Sequence, residues 1–170
     1  MTIVLRYRDL TVPEGATIER HREIIEREGI VMWGWMMRQS ERVPRELLTQ
    51  IAENPEKFSI YLYDAGSCEI RRATLKNLSM FPGGIRIPTP IPRSTPSYMA
   101  EALCPVWFHF SDIEDNPIEV EGLMIEDYPT LQDVKEPDKN KLREIITLND
   151  LRETGATVWV ASIVPNREQE

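Results

Sequence analysis

The sequence predicts an α+β fold: a small twisted β-barrel or a strongly curved mixed sheet of about six strands, flanked by about three short helices. Three observations predict it. Apolar runs of strand length, several alternating with polar residues, recur along the chain. Three segments carry the three- and four-residue spacing of short amphipathic helices, and they are separated by β-rich stretches. No internal repeat or low-complexity linker divides the 170 residues, so the expectation is one domain over residues 1–165, with 166–170 as a tail or the start of a linker.

Each element follows from its local pattern. Ile3, Leu5 and Tyr7 alternate as an opening strand, and Pro13 and Gly15 then break the chain. Ile18, His21, Ile24 and Ile25 set a helix over Thr17–Glu28, with Gly29 where a glycine cap belongs. The continuous run Ile30–Met37 reads as a central strand. Pro44 suits the first turn of a helix over Arg45–Glu53 that buries Leu47, Leu48 and Ile51. Phe58, Ile60 and Leu62 alternate, and Asp64-Ala65-Gly66-Ser67 turns the chain into Glu69–Leu78 as a hairpin.

The six prolines of the 81–105 segment, together with Gly83-Gly84, bar a helix or central strand through most of it. It should be a long ordered loop or a mobile flap, with one helical turn at Ser97–Leu103. Val106, Phe108 and Phe110 mark a further strand, and Asn116-Pro117 should return the chain through Ile118–Ile125 as a hairpin. A third helix over Asp138–Ile146, a turn at Leu148–Glu153 and a last strand over Thr157–Val164 complete the prediction.

Charge divides the chain. The net charge of −8 argues against a nucleic-acid binder unless positive surface is local. Residues 111–170 hold 15 acids against 6 bases, whereas residues 1–110 hold 13 acids against 14 bases. Between Ile70 and Ala100 there is no acid, and Arg71, Arg72, Lys76, Arg86 and Arg93 supply positive charge. Asp112–Tyr128 carries seven acids and no base. It reads as a solvated acidic hairpin, although Asp112-x-Glu114 and Glu119-x-Glu121 also set carboxylates two apart on one strand face, as a metal or paired-acid site would need.

Cys68 and Cys104 match no metal or redox spacing and fit a reducing compartment. The N-terminus lacks the apolar run of a signal peptide, and no stretch is long enough to span a bilayer, so a cytoplasmic, non-membrane protein is expected. Phosphate-loop, dinucleotide, zinc-protease and nucleophile-elbow motifs are missing, so we expect no enzyme, no cofactor and no metal. His21 reads as a helix histidine, satisfied or partly exposed, rather than a ligand. His109 is more interesting because it shares a strand face with Trp107.

The aromatic residues are the better functional clue. Trp33 and Trp35 lie two apart in a strand and point to one face, with Gly34 leaving room on the other. Trp107 and His109 repeat the arrangement. Facing pairs would form a slot for a flat ring, with Tyr61 and Tyr63 as further candidate walls; the alternative for each ring is the ordinary core.

The run Gly29-Ile30-Val31-Met32-Trp33-Gly34-Trp35 follows an amphipathic helix and precedes a second. It is followed by Ser59-Ile60-Tyr61-Leu62-Tyr63-Asp64 and Pro105-Val106-Trp107-Phe108. In element order and aromatic placement over residues 1–125 the chain resembles the PUA-like group, its EVE and ASCH branches most. The resemblance implies a small barrel that reads RNA or modified bases in DNA, hence a base-sized pocket beside a basic rim. The acidic half and the proline-rich insertion depart from that pattern.

Two functions are therefore expected, from different classes. The first is a binding module for a nucleotide or modified base, with Trp33, Trp35, Trp107, His109, Tyr61 and Tyr63 at the ligand and Arg38, Arg71, Arg72, Arg86 and Arg93 at phosphate. The second is a protein-interaction or regulatory domain, cut from or fused to a larger protein, that uses the proline-rich loop and the acidic hairpin.

Overall fold

Residues 1–9 and 16–167 are described by the computed structural model. The chain break expected at Pro13 and Gly15 and most of the 166–170 tail lie outside the described residues. Along the chain run β1 (Thr2–Tyr7), α1 (Ala16–Glu28), β2 (Val31–Gly34), α2 (Arg45–Glu53), β3 (Ser59–Asp64) and β4 (Glu69–Met80). They are followed by β5 (Val106–Ile113), β6 (Val120–Asp127), α3 (Glu136–Lys139), β7 (Ile145–Ile146), α4 (Leu148–Leu151) and β8 (Val158–Pro165).

The strands form one mixed sheet in the order β2-β5-β4-β3-β1-β8-β6-β7, in which β1 and β3 run parallel and the other described pairs antiparallel. The α+β class stands. The strand and helix counts do not: among the described residues there are eight strands and four α-helices, and the sheet is not closed into a barrel.

Strand alternation sorts the core onto two faces. Ile3 and Leu5 of β1, Ile60 and Leu62 of β3, and Val158 and Val160 of β8 enter one cluster with Ile18 and Ile24 of α1. Val4, Tyr63, Trp159 and Ala161, one residue out of step on the same strands, enter the other with Leu151 of α4. Gly29 ends α1 at φ 82°, a left-handed backbone that glycine adopts without strain, and its N–H returns to Ile25 O.

Several expectations are corrected. The run at Ile30–Met37 is an edge strand rather than a central one, and the ladder stops at Gly34. It reads as fully apolar because both its faces are covered, Val31 and Trp33 by the main cluster and Met32 by a third cluster with Cys104 and Trp107. The acidic segment is no hairpin: β5 pairs with β2 and β4, whereas β6 pairs with β8 and β7. The connecting chain crosses beside β4, where Ile118 bridges Ile70.

The helix expected over Asp138–Ile146 ends as soon as it begins. Arg143 adopts φ 64°, which a helix cannot carry, and Ile145 and Ile146 extend the sheet against Met124 and Leu123.

The proline-rich segment is an ordered loop. Ile87 and Cys104 exchange backbone hydrogen bonds at 2.8 and 3.0 Å, and short 3₁₀ turns form at Pro92–Ser94 and Ser97–Met99. Its Ile87, Ile91, Met99 and Ala102 pack over Met32 and Trp107. Among the described residues no helix is long and apolar enough to cross a membrane.

Candidate functional site

A cavity of about 530 Å³ opens where β1 and β2 end, beneath the start of α1. Its aromatic wall is Trp33, buried in β2, around which three rings gather. Tyr7 meets it edge-on at 5.1 Å, His21 lies tilted at 4.6 Å, and Phe110 packs edge-on from β5 at 6.0 Å. Tyr98, from the proline-rich segment, stands edge-on to His21 at 6.2 Å and is 42 % exposed. Burial pushes its phenol up to about 12, so it stays protonated.

Trp35 forms the neighbouring wall just past the last ladder residue of β2. Its indole Nε1 donates to Thr157 Oγ1 at 2.8 Å, and that hydroxyl donates to the buried carboxylate of Glu41 at 2.8 Å. Glu41 also accepts from the backbone N–H groups of Thr157 and Arg38, at 2.9 and 3.1 Å.

Three arginines complete the lining, in which the described residues place no carboxylate; the Asp9 carboxylate stands just behind it, accepting from the hydroxyl of the lining residue Thr17 at 2.6 Å. Arg6 donates to the carbonyls of Arg152 and Thr154, and Arg38 donates to that of Gly155, so one short turn anchors both cations. Burial and then the nearby Arg38 lower the Arg6 pKa, without removing its charge. Arg8 is exposed at the rim. None of the three forms an ion pair among the described residues.

His21 is 2 % exposed. Its Nδ1 lies 2.7 Å from Thr17 O, and burial pushes its pKa down to about 4, so it is a neutral ring with the proton on Nδ1.

Of the residues read from sequence, the structure brings Trp33, Trp35 and Arg38 together. The others go elsewhere. Antiparallel register sets Trp33 opposite Phe108 and Gly34 opposite Trp107, so Trp107 and His109 lie on the far face of β2 and β5. Trp107 is fully buried and donates to Ile87 O at 2.9 Å, and His109 Nε2 lies 2.7 Å from Ser79 Oγ. The space beside Gly34 holds Trp107, Cys104 and Met99, which a Cβ there would meet at 2.7–2.9 Å. Tyr61 and Tyr63 belong to the second core cluster, where Tyr63 donates to Leu148 O.

Arg71 is buried in a separate groove beside Arg22 and donates to Asp115 O. Arg72, Arg86 and Arg93 are exposed away from the cavity, Arg93 pairing with Glu28 at 3.7 Å. Among the described residues no group of three or more His, Cys, Asp and Glu side chains is placed to hold a metal ion.

Sequence reasoning missed Tyr7, Arg6, Arg8, His21 and Tyr98. One signal was available: Thr17 and His21 are polar residues one helical turn apart on the face of α1 that also carries Ile18 and Ile24.

No curated protein and no solved structure matches the chain. A family model described as Pua-like matches residues 3–170, nearly the whole chain, with the fold expected from the order of its helices, strands and tryptophans. The chain therefore belongs to the PUA-like family.

Proposed function

We propose that the chain is a non-catalytic nucleic-acid-binding module that takes one nucleotide or modified base into the cavity between Trp33 and Trp35. One observation carries the reading. On a protein of net charge −8, this cavity is walled by aromatic rings and, among the described residues, lined by three arginines and no carboxylate. Rings offer a stacking surface to a planar base, and arginines attract the phosphates on either side of it. PUA-like membership supports nucleic acid as the class of partner.

The test is a titration of labelled single-stranded RNA and DNA oligonucleotides, with and without modified bases, at low salt. Binding that Trp33→Ala weakens and added salt weakens separately supports the reading. No binding to any oligonucleotide overturns it and favours the second reading, a protein-interaction or regulatory domain. That alternative is supported by the exposed apolar residues Phe81, Ile85 and Leu103 on the proline-rich segment, at 58, 63 and 54 % exposure.

A further inference from the structure

His21 is the polar group of the cavity that neither the fold nor the arginine rim explains. Its Nδ1 is turned back to Thr17 O one helical turn earlier. Nδ1 keeps the proton to make that bond, which leaves the lone pair on Nε2. No hydrogen bond among the described residues engages Nε2, nor is it one of the buried polar atoms left without a partner, and the ring lines the cavity between Trp33 and Tyr98.

We infer that His21 Nε2 is the base-reading acceptor of this cavity: it takes an N–H from the edge of the bound base, so the site selects bases that present a donor there. The inference rests on the nucleotide reading and adds to it the chemical feature that is read. Stacking on Trp33 cannot supply this discrimination, since every base has a π face. An acceptor fixed by Nδ1–H···O can, because a ligand that places its own lone pair or a methyl group there leaves Nε2 buried and unpaired. The depressed pKa adds that the ring does not become a double donor near neutral pH.

The experiment measures binding of the unaltered chain to AMP, CMP, GMP and UMP. Each is compared with an analogue in which a Watson–Crick N–H is removed or methylated: purine riboside, 2-pyrimidinone riboside, 1-methylguanosine (which keeps its 2-amino group) and 3-methyluridine 5′-monophosphates. The tightest-binding nucleotide should lose about tenfold or more in affinity when its N–H is removed. In His21→Phe the pair should bind equally, and the ¹⁵N resonance of wild-type Nε2 should move toward its hydrogen-bonded position only with the N–H form. Binding without donor dependence, or discrimination that survives in His21→Phe, overturns the role of His21 and leaves the nucleotide reading standing. No binding by any of the nucleotides overturns both. The ligand pairs on unaltered protein keep the test decisive even where His21→Phe folds poorly.

Discussion

The indole of Trp35 and the buried carboxylate of Glu41 are joined through a single hydroxyl, that of Thr157, which accepts from one at 2.8 Å and donates to the other at 2.8 Å. The aromatic wall of the cavity is thereby tied to the residue just before β8. Thr157→Val keeps the side-chain shape and removes the relay, leaving a buried N–H unpaired. It should lower stability by about 1–3 kcal/mol in urea unfolding, and an unchanged midpoint would mean that the relay contributes nothing.

The two tryptophans expected to act together should behave differently. Trp33→Ala is expected to weaken oligonucleotide binding by about 1–3 kcal/mol through lost stacking. Trp107→Ala, on the other face, should cost about 3–5 kcal/mol of folding stability as a core truncation with no effect on binding by the folded protein, whereas Trp33→Ala, also in the core, should lower both. Calorimetric unfolding and a binding titration on each variant separate these outcomes.

The salt dependence of binding should identify which arginines meet phosphate. Arg38→Ala or Arg6→Ala is expected to flatten the log–log slope by about 0.7–0.9 each, one phosphate contact apiece. Arg72→Ala and Arg86→Ala, at exposed positions outside the cavity, should leave the slope where it was. The reverse pattern would move the phosphate track to β4 and the proline-rich segment.

His21 makes stability depend on pH in a definite direction. Its folded pKa of about 4 lies below the usual 6.5, so the unfolded chain takes up a proton through that window before the folded one does. Stability from this group is fully present above about pH 6.5 and falls by about 1.4 kcal/mol per unit toward pH 4. His109, also lowered by burial, acts in the same direction. The wild-type advantage over His21→Phe should therefore shrink by about 3 kcal/mol between pH 7 and 4, and parallel pH profiles for the two proteins would contradict it.

Gly34 tests the packing behind the site. A Cβ there would lie 2.7 Å from Cys104 Sγ and 2.9 Å from both Met99 and Trp107. Gly34→Ala should destabilise by about 1–3 kcal/mol through overpacking, read as a shifted urea midpoint.

Much of the fold was legible because its signals are local. The period of Ile60 and Leu62, the Asp64–Ser67 turn and the helix over Arg45–Glu53 depend on neighbours in sequence, and all appear with nearly the expected bounds. What depends on pairing was not legible. The register that turns Trp107 away from Trp33 is set between chain segments more than 70 residues apart, and the partner of β6 proved to be β8 rather than β5. The site was half legible for the same reason. Trp33 and Trp35 announce themselves by spacing, whereas Arg6, His21 and Tyr98 become neighbours only through the sheet order and the path of the proline-rich segment. That apolar runs such as Ile30–Met37 occur at an edge strand follows from covering both faces, which no single stretch reveals.

The walls of the cavity come from the start, the middle and the end of the chain: Tyr7, Trp33, Tyr98 and Thr157. During synthesis, the arginine and tryptophan walls emerge long before the residue that fixes Trp35 and the 152–155 turn that anchors Arg6 and Arg38. The pocket is therefore completed only when β8 closes against β1. Recognition of a ligand then becomes a report that the whole sheet has been assembled, and a chain cut before β8 should keep its tryptophans yet have nothing to hold them in place.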